Sequence, residues 1–131
     1  MTDFSLPATA IAALILGSFY IWLTVRVILI RRKDGIILGD NNDRAVAKKI
    51  RGHANAAEQI PLGLILIGLN EALNSTHTAA TIAAILILGR FMHGIYFTLP
   101  GIHHRYRVLG MFLTLIAQIL SLLGLALGLL L

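Results

Sequence analysis

Residues 48–61 read KKIRGHANAAEQIP, a polar stretch that leads into a long apolar run. Within it, Arg51, Asn55 and Glu58 are separated by four and then three residues, so they share one face of a helix. A charge at bilayer depth costs at least about 2.5–3.5 kcal/mol, so such side chains face a protein interior or a wet cavity. The pattern therefore predicts a polar stripe that points toward another helix or a ligand.

The spacing alone allows three interpretations of this stripe. In a structural role, Arg51 pairs with Glu58 or with a charge on a neighbouring helix and fixes the helix register. In a transporter, Glu58 is a proton-coupled carboxylate on a substrate path. In a ligand-binding role, Arg51 binds a carboxylate while Glu58 and Asn55 bind an ammonium group, as a zwitterionic peptide requires.

The composition indicates an integral membrane protein. Of the 131 residues, 57% are apolar and 13% charged, whereas a soluble domain has about 45–50% and about 25%. A bilayer core needs about 20 apolar helical residues, and four stretches meet this length: residues 7–30, 46–73, 78–99 and 108–131. We therefore predict an all-α integral membrane fold, in which residues 1–131 form one domain, a bundle of four transmembrane helices.

The distribution of charge predicts the orientation of this bundle. Most of the 11 Lys and Arg residues lie in the first and third loops, whereas the second loop holds Glu71 and no cation. The positive-inside rule then predicts cytoplasmic basic loops and both termini outside. Because the cations flank apolar segments and form no patch on a soluble module, we expect no nucleic-acid partner. The chain has no cysteine, which excludes disulfides and zinc-thiolate sites.

A second polar cluster lies in the third apolar stretch. Arg90, His93 and Phe97 are spaced three and four residues apart and so share one helical face. Arg90 needs an interior partner, and Glu58, taken as the only acid well inside a span, is the candidate. The adjacent histidines at 103–104 have no further ligands nearby, so we predict no metal site.

Two glycines in the fourth stretch suggest close helix packing. Gly124 and Gly128 have the small-xxx-small spacing that allows two helix backbones to approach each other. Glycines scattered through a leucine-rich helix are an equally good interpretation of the same residues.

Residues 51–61 closely resemble the signature of the MAPEG family, the membrane-associated proteins in eicosanoid and glutathione metabolism. That signature is Arg-Ala-His-x-Asn-x-x-Glu-x-x-Pro, and this chain reads RGHANAAEQIP. The double arginine at 31–32, Arg90 and the Arg-x-x-Gly of residues 107–110 extend the resemblance over essentially the whole chain. The Leu-Gly-Asp of residues 38–40 is similar to small bacterial members, so we expect a bacterial inner-membrane protein resembling microsomal glutathione transferase.

The resemblance implies a homotrimer that binds glutathione between neighbouring subunits near the cytoplasmic face. Carried over by position, the glutathione-binding residues are Arg31, Arg32, Arg51, His53, Asn55, Glu58, Arg90 and His93. The arginine that stabilises the glutathione thiolate falls at Arg107, or at Arg105 if the loop aligns differently. The implied function is a membrane-bound glutathione-dependent transferase or peroxidase that attacks hydrophobic electrophiles dissolved in membrane lipid. The absence of cysteine fits this chemistry, because glutathione brings the sulfur.

Two positions depart from the family pattern. Phe97 stands where several glutathione-using members have a tyrosine, and Gln59 stands where the leukotriene-synthase type has another. Neither residue supplies a phenol that donates a hydrogen bond. The alternative function is therefore a non-enzymatic protein of the same fold that binds a lipid, a thiol or a protein partner. A small multidrug-type transporter is a third hypothesis, but its acid belongs in the first span, where this chain has none.

Overall fold

The fold is a bundle of four α-helices joined by three loops. The structure, a computed structural model, describes residues 5–130. The helices are α1 (Pro7–Lys33), α2 (Arg44–Leu73), α3 (Thr76–Thr98) and α4 (Arg105–Leu130). The predicted all-α architecture of four helices is confirmed.

Three of these helices, α1, α3 and α4, are long and apolar enough to cross a membrane. Helix α2 is long enough but not apolar enough by the same criterion, because charged and polar side chains occupy its first half and its last turn. Many large aliphatic side chains cover the outside of the bundle, among them Leu14, Ile21 and Leu122. Such a surface suits contact with lipid tails, because a water-soluble domain rarely exposes a continuous apolar face of this size.

Local sequence signals set the helix ends. Pro7 begins α1, where its fixed φ is compatible with a helix and its missing N–H costs no hydrogen bond. The Asp43 carboxylate caps α2, and the Ser75 hydroxyl accepts a hydrogen bond from the first turn of α3 at 3.2 Å. The basic residues at 31–33 lie in the last turn of α1, where cations stabilise the negative end of the helix dipole.

Helices α2 and α3 form the centre of the bundle, since each of them packs against the other three helices. The apolar core between the helices includes Leu16, Leu23, Ile67 and Leu86, each almost completely buried. This arrangement carries the buried residues of α3, including Arg90, into contact with both α2 and α4.

Glu71 joins the far end of α2 to the start of α1. One carboxylate oxygen accepts a hydrogen bond from the Ala8 N–H at 3.0 Å, and the other accepts from the Thr9 N–H at 2.8 Å and the Thr9 hydroxyl at 2.7 Å. These N–H groups have no partner within α1, so Glu71 caps that helix from outside. The prediction that Glu71 lies in the second loop is wrong, because Glu71 belongs to the last turn of α2 and is buried.

Replacing Glu71 by Ala is expected to lower the free energy of unfolding by about 2–3 kcal/mol, because two N–H groups and a hydroxyl lose a charged acceptor. Unfolding by increasing sodium dodecyl sulfate in mixed micelles, followed by circular dichroism, measures the change. The matched control is Asp34→Ala, which removes an exposed carboxylate from the loop after α1. Equal stability of the two variants would contradict the capping role of Glu71.

The glycine pair of α4 packs within the subunit. Gly124 lies against the side chain of Asn70, and Gly128 lies against that of Asn74. The Asn70 amide donates to the Ser121 carbonyl at 2.9 Å, and the Asn74 amide donates to the Gly124 carbonyl at 3.1 Å. The two glycines therefore make room for asparagine side chains of α2, and the close approach they allow joins α4 to α2.

Candidate functional site

A cavity of about 540 Å³ opens beside α2, α3 and α4, near the end of the bundle that carries the basic loops. We call it the main cavity, and its lining consists of Arg51, Asn55, His93, Phe97, Arg107, Val108, Met111, Phe112 and Leu115. Helices α2 and α3 supply polar side chains to one wall, whereas α4 supplies an arginine at its start and then an apolar wall. The main cavity thus joins a cationic surface to an apolar one.

Arg90 supports the polar wall from inside the bundle. Its side chain is fully buried, and Nη2 donates to Asn55 Oδ1 at 2.8 Å and to His93 Nδ1 at 3.2 Å. Nη1 makes a longer contact of 3.4 Å with the Thr114 hydroxyl. Because Arg90 can only donate, Asn55 and His93 must accept through these atoms. Arg90 therefore fixes the orientation of two side chains that line the main cavity.

Phe97 forms the aromatic part of the wall. Its ring centroid lies 5.0 Å from that of His93, and the guanidinium carbon of Arg107 lies 5.7 Å from the Phe97 ring centroid. A cation above an aromatic face is attracted to the ring. Gly52 of α2 packs directly on the Cβ atom of Phe97, so the approach of α2 to α3 requires a residue without a side chain there. Phe97 thus holds Arg107 at the cavity, although it has no hydroxyl.

Comparison with known proteins gives one family. The model of the MAPEG family matches residues 9–127, nearly the whole chain. This chain belongs to the MAPEG family. No curated protein matches it. The membership confirms the resemblance seen in residues 51–61, and makes this chain a membrane protein of the glutathione and eicosanoid metabolism superfamily.

The structure of this MAPEG protein brings together half of the predicted site residues. Arg51, Asn55, His93 and Arg107 line the main cavity, and Arg90 lies directly behind it. Arg105 does not belong to the lining, although it lies only two residues before Arg107. Of the two candidates for the thiolate arginine, Arg107 is therefore the one at the cavity.

The other predicted residues on α1 and α2 lie outside this lining. His53 faces α1, where its Nε2 lies 3.1 Å from the Thr24 hydroxyl and its ring stacks on Tyr20. Arg31 Nη1 donates to the Ile37 carbonyl at 3.3 Å, and Arg32 is exposed at the end of α1. Glu58 is exposed on α2.

The predicted ion pair between Glu58 and Arg90 is wrong. Within residues 5–130, Arg90 hydrogen-bonds Asn55 and makes no ion pair with Glu58. Three residues of helix separate Asn55 from Glu58, which is about 4.5 Å along the axis and about 60° around it. The guanidinium donates to Asn55, the first of these residues, whereas Glu58 is exposed. Arg51 and Glu58, which lie about 10 Å apart along α2, likewise form no pair in the described chain.

The apolar wall of α4 was not predicted from the sequence. Val108, Met111, Phe112 and Leu115 recur at helical spacing and continue the face that begins at Arg107. Phe112 is 59% exposed, so this wall is open to a ligand or to lipid. The spacing from Arg107 is the signal that could have found these residues, since their composition matches any lipid-facing helix.

Gly110 sets the distance between α3 and α4 beneath the main cavity. A Cβ atom at this position would overlap the backbone nitrogen of His93 and lie 2.6 Å from the Gly89 carbonyl oxygen. The glycine of the Arg-x-x-Gly motif therefore lets two backbones meet directly, and this contact holds Arg107 and His93 at a fixed separation.

We expect Gly110→Ala to lower the free energy of unfolding by about 1–3 kcal/mol, because two backbones must separate to admit the methyl group. The matched control is Gly17→Ala in α1, where no atom lies within 4 Å of the added carbon. That control is expected to be neutral or slightly stabilising, since alanine favours a helix. Detergent unfolding of both variants tests the prediction, and a neutral Gly110→Ala would refute the packing role.

Proposed function

We propose that this MAPEG protein is a glutathione-dependent transferase or peroxidase that acts on hydrophobic electrophiles at the membrane. The observation that carries the proposal is the main cavity, where two guanidinium groups and an amide face an apolar wall. Glutathione is a small peptide with two carboxylates, an ammonium group and a thiol. A volume of about 540 Å³ lies within the range of small-ligand sites, and arginine binds carboxylates with paired hydrogen bonds.

The polar wall supports distinct binding roles. Arg51 is exposed at the cavity, where its guanidinium can bind a glutathione carboxylate. The Oδ1 atom of Asn55 already accepts from Arg90, so the amide Nδ2 is the Asn55 group left to donate to a ligand. This assignment favours a carboxylate or carbonyl of the peptide as the partner of Asn55, in place of the ammonium group considered from spacing alone.

Arg107 is the residue we assign to the thiolate. A nearby cation lowers the pKa of a thiol, and a helix N-terminus acts in the same direction. Arg107 has both properties, because it lies in the first turn of α4 and its guanidinium is held over Phe97. The bound thiolate then attacks the electrophile, a carbon–sulfur bond forms, and the leaving group departs with its electron pair.

The remaining predicted residues suit a site shared between subunits. We propose that the protein is a homotrimer of the inner membrane, with the basic loops in the cytoplasm where glutathione is available. Arg32 and Glu58, which are exposed and lie outside the main cavity of their own subunit, then contribute to the site of a neighbour. Arg31 and His53 already have partners within their own subunit. The apolar wall of α4 receives the electrophile from the lipid phase.

Glutathione calorimetry in mild detergent tests this function. We expect the wild-type protein to bind glutathione, and Arg51→Ala to weaken binding roughly tenfold or more because a carboxylate loses its cation. Arg44→Ala removes an exposed arginine from the same end of the bundle and serves as the control. If the wild-type protein does not bind glutathione at millimolar concentration, the enzyme proposal fails and the non-enzymatic alternative stands.

A further inference from the structure

A second pocket lies at the basic end of the bundle, between α1 and the start of α2. It has a volume of about 300 Å³, and its lining consists of Arg26, Leu29, Ile30, Lys33 and Lys49. We call it the basic groove. Three of its five lining residues are cations and none is acidic, and it shares no residue with the main cavity. The basic groove is therefore a cationic pocket distinct from the main cavity.

Arg26, the groove cation farthest from the C-terminal end of α1, makes few hydrogen bonds within residues 5–130. Arg26 Nη2 makes only a long contact of 3.5 Å with the Thr98 carbonyl oxygen. Its Nε atom is buried and, in the described part of the chain, has no hydrogen-bond partner. A partly buried guanidinium without a counter-charge is costly in a membrane protein, so an external anion would stabilise it.

Apolar residues border the basic groove on the side that faces the middle of the membrane span. Trp22, Arg26, Leu29 and Lys33 follow one another at steps of four, three and four residues, so they form one stripe along α1. Leu29 is 55% exposed, and the Arg26 guanidinium lies 6.0 Å from the Trp22 ring centroid. The stripe therefore runs from cations at the helix end to an apolar and aromatic surface further in. A free phosphate would use only the cations.

We propose that the basic groove binds the phosphate of an anionic phospholipid, with an acyl chain lying along Leu29 and Trp22. Basic pockets between transmembrane helices on the cytoplasmic side are a recognised way to hold such headgroups. The lipid is expected to join α1 to α2 by pairing with Arg26, Lys33 and Lys49 together. This inference requires neither glutathione nor the main cavity, so it stands or falls independently of the proposed function.

The single tryptophan of the chain, Trp22, reports directly on this site. The full-length protein in mild detergent is titrated with phospholipid whose acyl chains carry bromine, which quenches tryptophan fluorescence on contact. We expect brominated phosphatidylglycerol to quench Trp22 at a mole fraction roughly tenfold lower than brominated phosphatidylcholine does. Equal quenching by the two lipids would overturn the proposal.

Two double variants distinguish the effect of cations inside the basic groove from that of the general positive charge at this end of the protein. Lys33→Gln with Lys49→Gln is expected to abolish the preference for phosphatidylglycerol. Arg44→Gln with Lys48→Gln removes the same number of cations outside the groove, where Lys48 lies over the Tyr96 ring, and is expected to keep the preference. Equal loss in both variants would overturn the proposal.

A soluble competitor distinguishes the source of the phosphate. Glycerol phosphate has the headgroup chemistry without acyl chains, and we expect it to leave the quenching by brominated phosphatidylglycerol unchanged at equal concentration. Full displacement at that concentration would show that the groove takes a soluble phosphate and would overturn the assignment to a lipid. Glutathione calorimetry on the Lys33→Gln, Lys49→Gln variant is expected to match the wild-type protein, which keeps the two sites distinct.

Discussion

Replacement of Arg107 by Ala is expected to lower the turnover of glutathione with a hydrophobic aryl halide by roughly 100-fold, the effect of losing one preorganised group that stabilises an anion. The reason is that Arg107 is the cation at the rim of the main cavity nearest the start of α4, where the thiol is proposed to ionise. Glutathione affinity is expected to change much less, because Arg51 and Asn55 remain. Steady-state kinetics at saturating glutathione, together with calorimetry, measures both quantities.

Two further variants make this prediction specific. Arg107→Lys keeps a positive charge without the planar guanidinium over Phe97, and we expect it to recover part of the lost rate. Arg105→Ala tests the alternative alignment of the loop, in which Arg105 is the thiolate arginine. We expect little loss of turnover in this variant, because Arg105 lies outside the cavity lining. A large loss of turnover in Arg105→Ala with little loss in Arg107→Ala would show that the thiolate arginine is Arg105.

Arg90→Ala is expected to lower the free energy of unfolding by about 3–5 kcal/mol, the largest effect on stability that we predict. The substitution leaves a void at a fully buried position and removes the donor that Asn55 Oδ1 and His93 Nδ1 share. Arg90→Met fills the void without supplying a donor, so we expect it to regain stability. We expect both variants to bind glutathione more weakly than the wild-type protein, because Asn55 loses the hydrogen bond that orients it. Detergent unfolding separates the two variants, and wild-type stability of Arg90→Ala would contradict the assigned role.

A double-mutant cycle identifies the partner of Arg90. Asn55→Ala and Arg90→Met are expected to couple by about 1–2 kcal/mol, because the two side chains share a charge-assisted hydrogen bond of 2.8 Å. Glu58→Gln and Arg90→Met are expected to be additive, since Glu58 is exposed and does not contact Arg90. Rescue of Arg90→Glu by Glu58→Arg would restore the pairing that we predicted from sequence and would refute the Asn55 contact.

The sequence predicts the helices well because their causes are local. Apolar length defines the spans, and Pro7, Asp43 and Ser75 mark helix starts through their own backbone or side chains. The polar stripe is also local, since helical periodicity alone places Arg51 and Asn55 on one face. Both of these residues line the main cavity, whereas Glu58, the third residue of the predicted stripe, is exposed and lies outside the lining.

The sequence does not predict which residues these side chains contact. Those contacts depend on the position along each helix axis at which the helix crosses its neighbour. Periodicity gives the face of α2 but does not say whether Arg90 meets Asn55 or Glu58, which lie less than one turn apart. Glu71 is a similar case, since its partners at Ala8 and Thr9 lie more than sixty positions away in the sequence. A polar residue near a predicted loop carries no local signal that it caps a distant helix.

The apolar wall escaped prediction for a different reason. Met111, Phe112 and Leu115 have the same composition as residues that face lipid, so nothing in their chemistry marks them as part of a site. Only their spacing from Arg107 connects them to the cavity. The glycine at 110 does carry a signal, because its place in the Arg-x-x-Gly motif corresponds to the direct contact of α4 with α3.

The central claim, that this MAPEG protein activates the thiol of glutathione beside Arg107, is tested most directly by ultraviolet absorbance of the thiolate. Glutathione is mixed at neutral pH with the wild-type protein and with Arg107→Ala, both in the same detergent. We predict a thiolate signal that rises with occupancy in the wild-type protein and is absent in Arg107→Ala. Glutathione that binds to the wild-type protein without any thiolate signal would contradict the claim.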